Sequence, residues 1–218
     1  MYNIIFILCY VFILIATFCG IIKYTHLDTA MRFIVVLLAL TSCSELCAYI
    51  AVLQKKYAVR YGIYHGYNII QAVLFTYYYI AAIQFRRYKR GFISAALFWL
   101  AAGIMNIVFL QPFGKLNSNM LLLESFSFIA MSLYFIYIML KRDVIQDIFR
   151  YAHFQMVVIF LVYWSCTLFF WGFVKMLYNS HWKHIQLFMY LQAIIEMLTY
   201  FAIAVVLYNS GKRKKIDT

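Results

Sequence analysis

Seven long apolar stretches, separated by short polar connections, make up most of this 218-residue chain. They run at about 2–22, 33–53, 66–85, 91–110, 119–140, 156–178 and 185–208. Each holds the ~20 mainly apolar residues that a helix needs to cross a bilayer. The apolar runs are continuous rather than alternating, which argues against a transmembrane β-barrel. Backbone in lipid must satisfy its own hydrogen bonds, so each run is expected to be helical. The pattern predicts an all-α integral membrane protein: one seven-helix transmembrane domain over 1–218, its last residues, 209–218, forming a basic tail. The first stretch lacks a basic leader, and bulky Phe18 precedes Cys19. That fits neither a cleavage site nor a lipid-attachment cysteine, so it reads as a retained helix.

Composition agrees. Hydrophobic residues are 67% of the chain and charged residues 12%, against roughly half and a quarter in a soluble domain. The charges are also sorted. Connections one, three and five and the C-terminal tail carry 13 of the 19 Lys and Arg, and the opposite side carries six. Lys and Arg collect on the cytoplasmic side. The expected orientation is therefore N-terminus outside and C-terminus cytoplasmic, in the cytoplasmic (inner) membrane, with "RRYKR" (86–90) and "GKRKK" (211–215) as the firmest anchors. The +12 net charge needs no nucleic acid, because topology and anionic headgroups account for it. The lipid bilayer is the first expected partner.

Aromatic residues are 21% of the chain, and many fall where interfacial belts are expected, as in "YAVRYGIYHGY" (57–67). Cys9, Cys19, Cys43, Cys47 and Cys166 all lie within spans, without disulfide or zinc spacing. The five histidines lie in loops or at span ends, His26 and His153 inside and the others outside. No metal site and no cofactor is expected.

The acids are distributed unevenly. Asp28, Asp143, Asp147 and Asp217 fall in connections or the tail, whereas Glu45, Glu124 and Glu196 fall inside spans two, five and seven. A carboxylate at the bilayer centre is costly and normally faces the bundle interior or a wet cavity. A structural reading has each glutamate hydrogen-bonding across helices. The other strong polar residues share one half of the membrane. His65 and Tyr67 stand at the outer mouth of span three, followed by Asn68 and Gln71. Asn106 lies in the outer half of span four, Glu124 in the outer third of span five, and Gln192 in the outer part of span seven. Asn68 and Gln71 are three apart, and Gln192 and Glu196 four apart, so each pair shares a helix face. These nine residues predict a ligand-binding pocket that opens outward with Glu45 at its floor. Gln71, Gln192 and Glu196 are the expected partners of the Glu45 carboxyl.

Two alignments within the chain suggest internal repetition. "SCSELCAYIAVL" (42–53) lies on "SCTLFFWGFVKML" (165–177), and Gln71-Ala72 lies on Gln192-Ala193 at nearly the same offset. The plan this implies, spans one to three repeated as five to seven with span four as linker, resembles the SWEET and KDEL-receptor superfamily. The departure is in proline. That superfamily uses Pro-Gln turns within its helices, and the one proline here, Pro112, is in a loop. A closer resemblance, over nearly the whole chain, is to small uncharacterised seven-span membrane proteins of Bacteroidota. It is carried by "TSCSELCAYI" with Glu45, by "YHGYNIIQ" with His65 and Tyr67, and by "LLLESFSFIAMSLYF" with Glu124. Some relatives carry Glu where Gln71 stands. The resemblance implies no established activity, but it points to signalling beside a histidine kinase.

Three function classes follow. The leading one is a non-enzymatic membrane sensor or accessory receptor that binds an unknown small ligand and signals through a histidine kinase or another membrane partner. "KRDVIQDIFRYAHF" (141–154) is the candidate docking element, with Asp143 capping a short helix. A helix lying in the headgroups is the plainer reading. The second class is a small-molecule or proton-coupled transporter, for which midplane carboxylates and repeats speak. Scarce Pro and Gly speak against it. The third is an intramembrane enzyme using paired carboxylates. No catalytic motif supports that class, and no catalytic residue is assigned.

Overall fold

The computed structural model describes residues 2–83, 86–110, 118–141, 148–179 and 185–210. The protein is all-helical, with seven long helices among the described residues: α1 (Tyr2–Lys23), α2 (Thr29–Leu53), α3 (Tyr57–Ala82), α4 (Arg86–Met105), α5 (Ser118–Leu140), α6 (Ala152–Asn179) and α7 (Ile185–Ser210). Short 3-10 turns at Tyr24–His26 and Ile148–Arg150 and a π-helical turn at Asn106–Leu110 complete it. Of the expected docking element (141–154), residues 142–147, Asp143 among them, lie outside the described residues; Ile148–Arg150 form a 3-10 turn and α6 begins at Ala152.

Among the described residues, five helices are long and apolar enough to cross a membrane: those containing Ile7–His26, Thr29–Leu53, Ser118–Leu140, Ala152–Phe173 and Leu187–Ser210. The other two fall short for a readable reason. α4 opens with a run of basic residues, and α3 begins at Tyr57, so Arg60, His65 and Asn68 sit in its first half and Gln71 just past its middle. The expected third span was placed at 66–85, but the helix starts nine residues earlier. Arg60, expected in a loop, is thereby brought into a helix.

Adjacent helices follow one another around a ring: α1 against α2, α2 against α3, α3 against α5, α5 against α6, α6 against α7 and α7 back against α1. α4 packs on α3 and reaches α5 through ring contacts, Phe92 to Tyr134 and Trp99 to Phe128. Contact pairs show the chain running up and down. Glu45 near the end of α2 meets Tyr64 near the start of α3, and Phe33 near the start of α2 stacks on Tyr77 near the end of α3. The end at which α1, α3, α5 and α7 begin is called the upper end below.

The core explains the ring. Phe75 of α3 packs on Phe128 of α5 and Phe160 of α6, each at 4.7 Å between ring centres. Trp164 of α6 lies 4.8 Å from Phe128, and Trp99 of α4 stacks on Phe128 from another side. All five are buried. Such rings bring large apolar area and favour tilted or edge-on contact, which locks four helices at one level. On the other side, α1 and α2 approach closely at Gly20. A Cβ there would stand 2.7 Å from Val35 Cγ2, so only glycine fits without movement. Elsewhere many large apolar side chains, such as Phe18, Leu97, Phe126 and Leu198, face outward. In water that surface would be a liability. In lipid it is the expected exterior.

Candidate functional site

Polar side chains collect in the upper half, above the aromatic layer. α2 presents Thr41, Ser42, Glu45 and Ala48 at helical spacing along one face, with Thr41, Ser42 and Ala48 buried. Glu45 is half-buried. Its Oε2 accepts a hydrogen bond from the Tyr64 hydroxyl at 3.1 Å. Arg60, one turn earlier on α3, lies over the Tyr64 ring and is close enough to act electrostatically on Glu45. The expected partners Gln71 and Gln192 are not its hydrogen-bond partners. Glu196 of α7 is within electrostatic range of Glu45. Hydrogen bonds thus tie Glu45 to one other helix, α3. Glu45 also lies nearer the rim than a pocket floor would, because it sits level with Arg60 and Tyr64.

α7 supplies the second carboxyl. Gln192 is 7% exposed, and its Nε2 donates to Thr167 Oγ1 of α6 and to Glu196 Oε1, each at 3.3 Å. The shared face expected for Gln192 and Glu196 is therefore present. Cys9 of α1 caps the Ala193 carbonyl at 3.4 Å and lies within electrostatic range of both Glu196 and Glu45. Tyr200 of α7 and Tyr163 of α6 lie within range of Glu196 as well.

Tyr67 links these groups to the third carboxyl. Its hydroxyl pairs with Thr41 Oγ1 at 2.7 Å, and it lies within electrostatic range of Glu45, Glu124 and Glu196. Glu124 of α5 is fully buried, and neither carboxyl oxygen has a hydrogen-bond partner among the described residues. The Nδ2 of buried Asn68 and the Oε1 of Gln192 also lack partners there. His65 and Asn106 are buried on α3 and just past α4. Gly103, one turn before Asn106, abuts Ile69 of α3 and Met120 of α5, which puts α3, α4 and α5 together at this level.

The nine residues expected to form one pocket are therefore spread around the ring. Glu45, Tyr67, Gln192 and Glu196 lie among α2, α3 and α7. His65 and Asn68 are buried on α3, Asn106 just past α4 and Glu124 on α5, with Tyr67 within electrostatic range of Glu124. Gln71 is half-buried. No family model, curated protein or solved structure matches this chain. Among the described residues no three His, Cys, Asp or Glu converge to hold a metal ion.

Tyr64, Arg60, Thr167, Tyr163 and Tyr200 were not foreseen. Tyr64 was within reach of the helical pattern, three residues before Tyr67 and seven before Gln71. A second polar cluster was not foreseen at all. At the lower end, His153 Nε2 pairs with Asp28 Oδ2 at 2.7 Å, and its Nδ1 faces the hydroxyl of buried Tyr78 at 3.4 Å. Asp28 also caps α2, its Oδ1 accepting from the Met31 amide at 2.8 Å. Burial pushes the Asp28 carboxyl up, but the hydrogen bond and charge of His153 and the Met31 and Ala30 amides outweigh this and hold it below the usual carboxylate range.

Proposed function

We propose that this chain is a seven-span protein of the cytoplasmic membrane, N-terminus outside, that acts without catalysis as a sensor or accessory receptor for a small ligand. The observation that carries the reading is Glu124: a fully buried carboxyl whose two oxygens have no partner among the described residues. Buried polar groups are almost always hydrogen-bonded, and those left open mark sites completed by water or a ligand. Beneath the cluster the rings of Phe75, Phe128, Phe160 and Trp164 pack together, which favours binding over passage. The upper end then faces outward, and the basic connections and tail face the cytoplasm. α3 and α4 complete the seven spans, α3 with buried His65 and Asn68 turned to the bundle. The output goes to a membrane partner, of which a histidine kinase is the expected kind, through the lower end.

A transporter is the second reading. The ring order, with α3 beside α5, α7 beside α1 and α4 outside, is compatible with the 3+1+3 plan of the internal alignments, although α1 and α7 pack together far more extensively than α3 and α5. One experiment separates the two. Ligands are screened by thermal shift of the purified protein, since a ligand at 100 times its Kd adds about 2.7 kcal/mol. The hit is then tested for uptake into proteoliposomes. A receptor gives a shift that is lost in a folded Glu124→Gln variant, with no uptake; saturable uptake selects the transporter. Labelling a cysteine introduced at Asn117, but not one at Lys214, from outside checks the orientation.

A further inference from the structure

Four successive helices of the ring bring titratable side chains together. Tyr67 of α3 and Tyr163 of α6 are each within electrostatic range of both Glu124 of α5 and Glu196 of α7. Tyr200, one turn below Glu196, is in range of both tyrosines as well. Groups on α3, α5, α6 and α7 meet in this way on the inner side of the ring. Tyr67, Tyr163, Glu196 and Tyr200 are nevertheless only half-buried, so each keeps surface that a water-sized group can reach. Charge decides what this space suits. Arg60 acts on Glu45, but among the described residues no lysine or arginine acts on Glu124 or Glu196. An acid at membrane depth normally has a partner, and here the protein supplies no cation. Two buried side chains beside the space are also incomplete. Glu124 is fully buried with both oxygens unpartnered, and Gln192, whose Nε2 bonds Glu196, is 7% exposed with its own Oε1 unpartnered. The unmet donors in this half, Asn68 Nδ2 and the Trp99 and Trp164 indoles, are neutral and do not balance a carboxylate's charge.

We propose that the space between Glu124 and Glu196 is a binding site for a small protonated primary amine, its ammonium group donating to the carboxylates and its alkyl part lying against Tyr67 and Tyr163. An ammonium brings three N–H donors and one positive charge, which are the two things the carboxyls lack. The tyrosines suit the same ligand, because an aromatic face attracts a cation and a phenol oxygen accepts from N–H. A metal ion suits the site less well, since no three His, Cys, Asp or Glu converge among the described residues. Gln192 keeps its bonds to Thr167 and Glu196 throughout, so binding breaks no contact of the protein. The inference names the ligand class of the receptor proposed above and rests on that reading of the upper cluster. It holds whichever face of the membrane the upper end occupies.

The test uses the full chain in phosphatidylcholine nanodiscs, titrated with butylammonium chloride, with 1-butanol and with sodium chloride, the ionic strength held equal. Thermal unfolding is followed by tryptophan fluorescence. Butanol has the shape of butylammonium without the charge, and sodium has the charge without the N–H donors. Glu124→Gln and Glu196→Gln, run beside the wild type, cancel what the solutes do to the bilayer. The site predicts stabilisation of the wild type by butylammonium at a concentration about tenfold or more below any by butanol, the ratio that one hydrogen bond to a charged group supports. Each Glu→Gln variant loses that stabilisation. Equal responses to butylammonium and butanol overturn the proposal. So does no response to butylammonium, a response that sodium reproduces, or one that survives in both folded variants. Should the variants fail to fold, the wild-type comparison of the three solutes decides alone. The receptor reading fails or stands separately: a neutral ligand from the wider screen, its shift lost in Glu124→Gln, keeps the receptor and discards the amine.

Discussion

The two ends of the bundle differ in how completely their buried polar groups are paired. At the lower end, Asp28, His153 and Tyr78 join α2, α6 and α3 in a chain of hydrogen bonds, and Tyr79 of α3 meets Ser132 of α5 at 2.7 Å. There the polar groups bond to one another across helices. At the upper end, Glu124, Asn68 and Gln192 each keep an atom with no partner among the described residues. A satisfied buried network rigidifies, while an unsatisfied one costs stability unless something else completes it. The difference fits the lower chain to holding helices together and supports the proposal that the upper cluster meets a ligand.

The comparison breaks first at Asp28. Replacing it with alanine removes the cap of α2, worth about 1 kcal/mol, and strands buried His153, at about 1–3 kcal/mol. Unfolding of the purified protein in detergent is expected to show a loss of about 2–4 kcal/mol for Asp28→Ala. No loss would mean that the lower chain is incidental. Glu124→Leu is the opposite case. With no protein partner to strand, it is expected to leave stability unchanged or raise it by about 1–3 kcal/mol, in the same assay. A large loss there would place a hidden partner on Glu124 and erase the contrast between the ends.

Acid sharpens the same comparison. The Asp28 carboxyl has a native pKa below its unfolded value, so its ionised form stabilises the fold. That contribution is fully present above the unfolded pKa of about 3.9 and fades as pH falls through the lower native value. The stability gap between wild type and Asp28→Asn is expected to hold across neutral pH and to close below about pH 4. A gap that instead grew with acid would reverse the sign and discard the pairing. The smallest effect is expected at Thr41, whose hydroxyl is bonded to Tyr67. Thr41→Val should cost about 0.6 kcal/mol, the average for one interhelical hydrogen bond in a membrane, by the same unfolding measurement.

Much of this was readable from the chain. Five of the seven apolar stretches coincide with helices fit to span, and helix ends at Leu53 and Leu140 fall where the stretches end. Period and hydropathy are local properties, and local patterns survive folding. The pairing of Gln192 with Glu196 was legible for the same reason, being one turn of one helix. The Asp28–His153 bond was not. The two residues are 125 apart in sequence, each an ordinary loop-side residue, and nothing local marks them as partners. Glu45 falls between these cases. Its place on an inward face follows from helical spacing, but its partner depended on where α3 starts. Moving that start from 66 to Tyr57 put Tyr64 and Arg60 beside Glu45 in place of Gln71. The nine polar residues were expected to line one outward pocket. How they are distributed depends on the ring order of helices, which no periodicity encodes.

The most direct test of the upper cluster is an experimental density map of the full chain in a lipid nanodisc, fine enough to show ordered water. The account predicts non-protein density, water or ligand, about 3 Å from a carboxyl oxygen of Glu124. A map in which both Glu124 oxygens bond to protein groups, or in which Glu124 turns into lipid, would contradict it.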